Sequence, residues 1–228
     1  MQQKVKIETS FEKKVTFEYL LHLPEGYESS SEDKFPFILF LHGMGQRGDD
    51  LEGIKVYGMP KIVEEQNVPA IVVSPLCPET TTWIEQLDAL HSLILHIVRE
   101  YRVDPTRIYL TGLSMGGFGT WHLAEKYPYL FAAAAPICGG ALHEFGFLDR
   151  IHRIKHLPIW TFHGAKDDVV PIQRTQLLVD RLQKDGGDVK FTIYPEATHD
   201  SWTETYNNPK FLEWLLTQTN RAVDFYKK

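Results

Sequence analysis

Ser114 stands in Ile108-Tyr109-Leu110-Thr111-Gly112-Leu113-Ser114-Met115-Gly116-Gly117, a Gly-x-Ser-x-Gly pentapeptide between a buried apolar run and an amphipathic stretch. A serine at such a strand-to-helix turn is exposed on a strained backbone, and the flanking glycines let strand and helix approach without Cβ clashes. A nucleophilic serine needs a base, and the base needs an orienting carboxylate. The segment Phe162-His163-Gly164-Ala165-Lys166-Asp167-Asp168 directly follows a second buried run, and Tyr194-Pro195-Glu196-Ala197-Thr198-His199-Asp200-Ser201-Trp202 follows the last one. Residues just past strand ends project into one crevice of an open α/β sheet. Ser114, Asp167 and His199 are therefore the expected nucleophile, acid and base. Asp168 is the neighbouring alternative for the acid, since strand position does not choose between them. Consecutive residues in an extended turn point opposite ways, so one carboxylate of the pair faces His199. Asp149 is a more remote alternative, after the sixth expected strand, and Asp200 reads as a surface neighbour of His199.

Acyl transfer also needs hydrogen-bond donors for the developing oxyanion. The loop Leu41-His42-Gly43-Met44-Gly45, after what is expected to be the third strand, and the residue after the nucleophile supply two backbone N–H groups, those of Met44 and Met115. Backbone donors place no demand on side-chain type, so two methionines are acceptable there. Trp83 and Trp202 are candidate pocket walls, with ordinary packing as the competing reading. A phosphate-binding loop or a dinucleotide fingerprint would need glycine patterns this segment lacks. His91 and His96 are five apart, and His152 and His156, four apart, lack a His-Glu-x-x-His context, so no metal site is expected. A Ser–His–Asp system needs no cofactor.

The elements that must position these residues alternate. Phe37–Leu41, Ala70–Ser74, Ile108–Thr111 and Ile159–Phe162 are short unbroken apolar runs, the form of strands buried on both faces. Val15–Leu23, Phe131–Pro136 and Lys190–Tyr194 complete about seven or eight strands. Glu85–Tyr101 places Leu87, Leu90, His91, Ile94, Ile97 and Val98 on one helical stripe, and Met115–Lys126, Arg174–Lys184 and Pro209–Thr217 are the other helices. Strand alternating with helix predicts an α/β fold with a mostly parallel sheet of about eight strands, and no linker divides residues 1–228 into domains.

With this order of motifs, Leu41-His42-Gly43, Gly112-Leu113-Ser114-Met115-Gly116-Gly117 and His163-Gly164-Ala165-Lys166-Asp167 resemble an α/β-hydrolase esterase. The likeness is sharper to the group labelled predicted peptidases, which has carboxylesterase and feruloyl-esterase-like members. Ser74-Pro75-Leu76-Cys77-Pro78 followed by Trp83, and His199-Asp200-Ser201-Trp202 running into Trp214-Leu215-Leu216, match that group's pattern, over nearly the whole chain. The resemblance implies Ser114, Asp167 and His199 as a triad and small carboxylic esters as substrates. It also favours Asp167 over Asp168, where related hydrolases often carry proline. Short-peptide cleavage by the same triad and a non-catalytic hydrolase-fold binding protein are the competing functions. Only about twenty residues separate Pro136 from Pro158, too few for a packed lid domain. An open site and short or compact acyl groups are expected.

Composition agrees with a globular enzyme. The 228 residues carry 24 Lys and Arg against 30 Asp and Glu, a net charge of −6, with 43% hydrophobic residues. A nucleic-acid binder would show a basic stripe, and none is present. No apolar run approaches the length of a membrane span, and the first residues lack a signal-like apolar stretch, so a cytoplasmic, membrane-free protein is expected. Cys77 and Cys138 read as isolated buried thiols. The sequence carries no statement about oligomeric state.

Overall fold

The computed structural model describes residues 2–9, 12, 14–29, 32–141 and 146–220. Residues 142–145 of the segment between Pro136 and Pro158 lie outside them. Seven strands form one sheet: β1 (Tyr19–His22), β2 (Phe35–Leu41), β3 (Ile71–Pro75), β4 (Val103–Leu113), β5 (Ala133–Ile137), β6 (Ile159–Gly164) and β7 (Val189–Tyr194), in the order β1-β3-β2-β4-β5-β6-β7. The β1–β3 pair is antiparallel, and every other neighbouring pair is parallel. The described residues hold seven strands where about eight were expected. Val5 and Ile7, the alternating pair ahead of β1, point into solvent and do not extend the sheet. The His42 loop and Asp149 accordingly follow the second and fifth strands, not the third and sixth.

Both faces of the sheet are covered, which is why β2 reads as an unbroken apolar run. The pleat sends Phe37, Leu39 and Leu41 to one side, onto α2 (Leu87–Glu100), α3 (Met115–Lys126) and α5 (Gln173–Lys184). It sends Ile38 and Phe40 to the other, with α1 (Gly58–Glu65), α6 (Trp202–Tyr206) and α7 (Pro209–Thr217). The short helix α4 (Phe147–Arg150) buries Phe147 on the first side. The four expected helices, α2, α3, α5 and α7, all lie within two residues of their expected bounds, whereas α1, α4 and α6 carried no recognisable periodicity. They are four to eight residues long, shorter than the window of about 11 residues over which a 3.6-residue stripe is read.

β4 begins five residues before the apolar run that announces it. Phe35 pairs with Val103 and Phe37 with Ile108, so Asp104-Pro105-Thr106-Arg107 bulges out of the ladder. Asp104 stabilises the bulge by accepting from the Thr106 amide at 2.9 Å and from Arg107 Nε at 2.7 Å. This polar detour hides the first half of the strand from a hydrophobic pattern. Both cysteines are free and buried.

Candidate active site

At the C-terminal end of β4 the chain turns into α3 through Ser114, at φ 53° and ψ −115°. That is a sparsely populated conformation for a residue with a side chain, held because the surroundings over-determine it. The Ser114 amide donates to the Ile137 carbonyl at 3.0 Å, and its carbonyl accepts from Phe118 N at 3.0 Å. Gly116 lets the turn close: a Cβ there would collide with the Leu41 carbonyl, so β2 and α3 touch backbone to backbone.

His199 lies in the loop between β7 and α6, its side chain 18% exposed. The Ser114 hydroxyl faces His199 Nε2 at 2.9 Å, and His199 Nδ1 donates to Asp167 Oδ2 at 2.8 Å. The two loops that bring these groups together are tied by Lys166 N donating to the Ala197 carbonyl at 3.0 Å, and by Gly164 seated against the Ala197 and Thr198 carbonyls. Asp167 Oδ1 accepts from the amides of Val169 at 3.0 Å and Val170 at 2.8 Å. Burial alone would raise the Asp167 carboxyl, but hydrogen bonds from His199 and these two amides outweigh it. They hold the group below the usual carboxylate value, so it stays ionised.

The other acids point elsewhere. Asp168 is exposed, and Asp149 is exposed on α4. Asp200 accepts from the amide and hydroxyl of Thr203, at 3.0 and 2.9 Å, as a cap on the first turn of α6. Adjacent residues are thus divided: His199 turns to Ser114 and Asp200 to its own helix.

Met44 opens a one-turn 3-10 helix, Met44–Gln46, and Met115 opens α3. First-turn amides have no intrahelical acceptor, so both N–H groups are free to serve a ligand. The Met44 loop is braced by side chains whose bracing contacts sequence patterns did not show. His42, buried, accepts from Cys77 N at Nε2 (3.0 Å), which leaves its proton on Nδ1, donated to the Gly43 carbonyl at 2.7 Å. Burial pushes this imidazole down to about 4, so it is neutral. Gln46 Oε1 accepts from Gly43 N at 3.2 Å, while its amide nitrogen reaches the Gly53 and Ile54 carbonyls. His-Gly after a strand was the visible signal for the loop, but nothing in it disclosed the tautomer or the glutamine brace.

The two tryptophans separate. Trp83 is fully buried, donating from Nε1 to the His42 carbonyl at 2.9 Å, and it is absent from the cleft wall, contrary to the sequence-based expectation of a pocket residue. Trp202 does line the cleft. It stands edge-on to His199 with ring centroids 5.3 Å apart, and Tyr57 packs against its outer side at 5.6 Å. The cleft above Ser114 has a volume of about 360 Å³, and Met44, Tyr57, Leu113, Val169 and Trp202 are its apolar walls. That is near the lower end for a small-molecule site. Among the described residues its lining contains no carboxylate and no Lys or Arg. Among the described residues no three His, Cys, Asp or Glu side chains gather as a metal centre would need, and no helix is long and apolar enough to cross a membrane.

A mostly parallel, doubly covered sheet with a serine on a strained turn after its central strand defines the class: this is an α/β-hydrolase. The phospholipase/carboxylesterase family model matches residues 78–213, and the chain belongs to that family. A solved thermostable esterase superposes with a TM-score of 0.75 at 35% identity, over 88% of this chain and 59% of that one. The bifunctional acetylxylan esterase/xylanase XynS20E of Neocallimastix patriciarum is 35% identical over 96 residues, which is 42% of this chain and 13% of that protein. A probable carboxylesterase SOBER1-like protein of Arabidopsis thaliana is 24% identical over 80% of this chain and 78% of its own length. The chain thus spans a small part of the bifunctional enzyme and somewhat over half of the thermostable esterase.

Proposed function

We propose that the protein is a serine carboxylesterase acting on short or compact carboxylic esters. The observation that carries this reading is the unbroken relay from Ser114 Oγ through His199 to Asp167 Oδ2, at 2.9 and 2.8 Å, opening on a cleft that no acidic or basic side chain lines among the described residues. His199 takes the Ser114 proton as the oxygen attacks the ester carbonyl, and the imidazolium that forms is stabilised by ionised Asp167. The oxyanion is received by the amides of Met44 and Met115, groups fixed before substrate arrives and so aligned at no cost during reaction. His199 returns the proton to the departing alcohol, and water then releases the acid from the acyl-enzyme with His199 again as base. No cofactor enters any step.

Short or compact acyl groups follow from the size of the cleft and its openness: Met44 is 53% and Val169 64% exposed, so a long chain would leave most of its length in water. The acetylxylan esterase relative, whose name specifies a two-carbon acyl group, supports the same preference.

The test is a panel of p-nitrophenyl esters from C2 to C12, hydroxycinnamoyl esters and matched p-nitroanilides, with Ser114→Ala as control. Faster turnover of C2–C4 than of C12, and of esters than of anilides, is expected. A preference for anilides would make the protein a peptidase. No turnover of any substrate by folded protein would make it a binding protein of this fold.

A further inference from the structure

Asp167 meets a second histidine. His163, fully buried on β6, places Nε2 3.1 Å from Asp167 Oδ2, the oxygen that also receives His199 Nδ1. The same Nε2 lies 2.8 Å from the Val170 carbonyl oxygen. Both neighbours are acceptors, so Nε2 carries a proton, directed at the Val170 carbonyl with Asp167 Oδ2 as its second and longer contact. Nδ1 lies 2.8 Å from Thr175 Oγ1 at the start of α5, which in turn is 2.9 Å from the Gly139 carbonyl oxygen. Burial pushes the His163 imidazole below its ordinary value, against the opposing pull of Asp167, and His199 adds to the lowering. Thr175 Oγ1 donates to the Gly139 carbonyl and sits 2.8 Å from Nδ1, which fixes the ring against the start of α5.

An acid in such a relay has to present one oxygen in a fixed plane, and a carboxylate can rotate about its last bond. Val169 and Val170 amides grip Oδ1, but among the described residues only His163 and His199 itself meet Oδ2. We propose that His163 is a positioning residue: its Nε2–H pins Oδ2 toward His199 and draws charge from that oxygen, so two imidazoles share one carboxylate and only one of them reaches Ser114. Thr175 is the second member of the device, because it fixes the ring that does the pinning. The inference rests on the esterase reading above.

The experiment compares the wild type with His163→Leu, His163→Gln and Thr175→Val on one activated short ester, across pH, with circular dichroism to confirm folding. His163→Leu is expected to lower kcat about tenfold or more and to leave KM within about twofold, the pattern of a group acting on the transition state. Oδ2, relieved of a donor, regains charge and steadies the imidazolium, so the acidic limb of the kcat/KM profile moves up by about half a pH unit. His163→Gln, whose amide nitrogen can donate from the same place, recovers most of the kcat. Thr175→Val shows a smaller loss in the same direction. A folded His163→Leu with kcat within twofold of the wild type and an unmoved limb overturns the proposal, as does a loss that glutamine does not repair. If His163→Leu does not fold, Thr175→Val decides, and an unchanged kcat and limb in that variant overturns it. NMR titration of His199 in the same proteins reads the contact without turnover. An inactive wild type with a shifted His199 titration would therefore refute the esterase reading and leave the His163 contact standing.

Discussion

Beneath Ser114 backbone packs on backbone: Gly116 lies against the Leu41 carbonyl, Gly117 against that of Ile137, and Gly164 against those of Ala197 and Thr198. Around the mouth of the same cleft, Met44 and Val169 stand largely in solvent, and Gly45 has open space beside it. The contrast separates two tasks. Orienting a nucleophile, a base and two amide donors to within a fraction of an ångström calls for elements that cannot shift, and close backbone contacts supply them. Choosing an acyl group calls only for apolar area near the reacting carbon, which exposed side chains provide with no demand on the backbone beneath them. Substitutions on the floor should therefore abolish chemistry or folding, and those on the rim should redistribute it among substrates.

The largest effect belongs to the floor. Ser114→Ala should reduce ester turnover by roughly 10⁶ while leaving the thermal midpoint nearly unchanged, because the nucleophile works as a unit with its base. Steady-state rates above a few per cent of the wild type, free of contaminating hydrolase, would break the comparison at its centre. Gly116→Ala should come next, since its Cβ would strike the Leu41 carbonyl. A loss of about 4 kcal/mol or more in chemical denaturation, or no soluble protein, is expected, whereas Gly45→Ala on the rim should stay within about 0.5 kcal/mol. Equal losses for the two glycines would remove the distinction between floor and rim.

Asp167→Asn should lower kcat at least about a hundredfold and Asp168→Asn less than about tenfold, measured on one activated ester. The two carboxylates are one residue apart, and only the first is turned inward. Reversed effects would move the acid by one position.

The packed interior also titrates. His42 and His122 are buried, and burial pushes each from its ordinary 6.5 down to about 4. The folded state then binds fewer protons than the unfolded chain between those values. Stability is fully present above pH 6.5 and is lost as pH falls toward 4. By pH 5 each histidine should have withdrawn about 2 kcal/mol, enough with both to lower the thermal midpoint by at least about 5 °C. The window lies above the range where carboxylates protonate, so a midpoint flat from pH 6.5 to 5 would contradict the neutral His42 brace. The smallest effect belongs to the rim. Met44→Ala keeps the backbone donor and removes only exposed apolar area, so it should change KM for C4 esters less than about tenfold with kcat nearly constant.

How much of this was legible in the sequence follows the same division. The Ser114 turn, the strand ends carrying Asp167 and His199, and α3 and α7 to the residue could be read directly, because glycine spacing and apolar periodicity are local consequences of close packing. The bulge at Asp104–Arg107 and the short helices α1 and α6 could not, since each is shorter than the pattern that would reveal it. The partners of His42 and His163 were equally hidden. Those histidines meet Cys77 from 35 residues away and Thr175 from 12, and no spacing rule connects such pairs. Trp83 read as a pocket wall because a large aromatic near a loop is compatible with either role. Its indole hydrogen bond to His42 decided for the floor.

The central claim is that Ser114 is an activated nucleophile, and its most direct test is covalent. Intact protein would be treated with a fluorophosphonate at neutral pH, digested, and mapped by mass spectrometry. A single adduct on the peptide bearing Gly112-Leu113-Ser114-Met115-Gly116, absent in Ser114→Ala and slowed in His199→Ala, is the predicted result. Stoichiometric labelling at another serine, or none at Ser114 in folded protein, would contradict it.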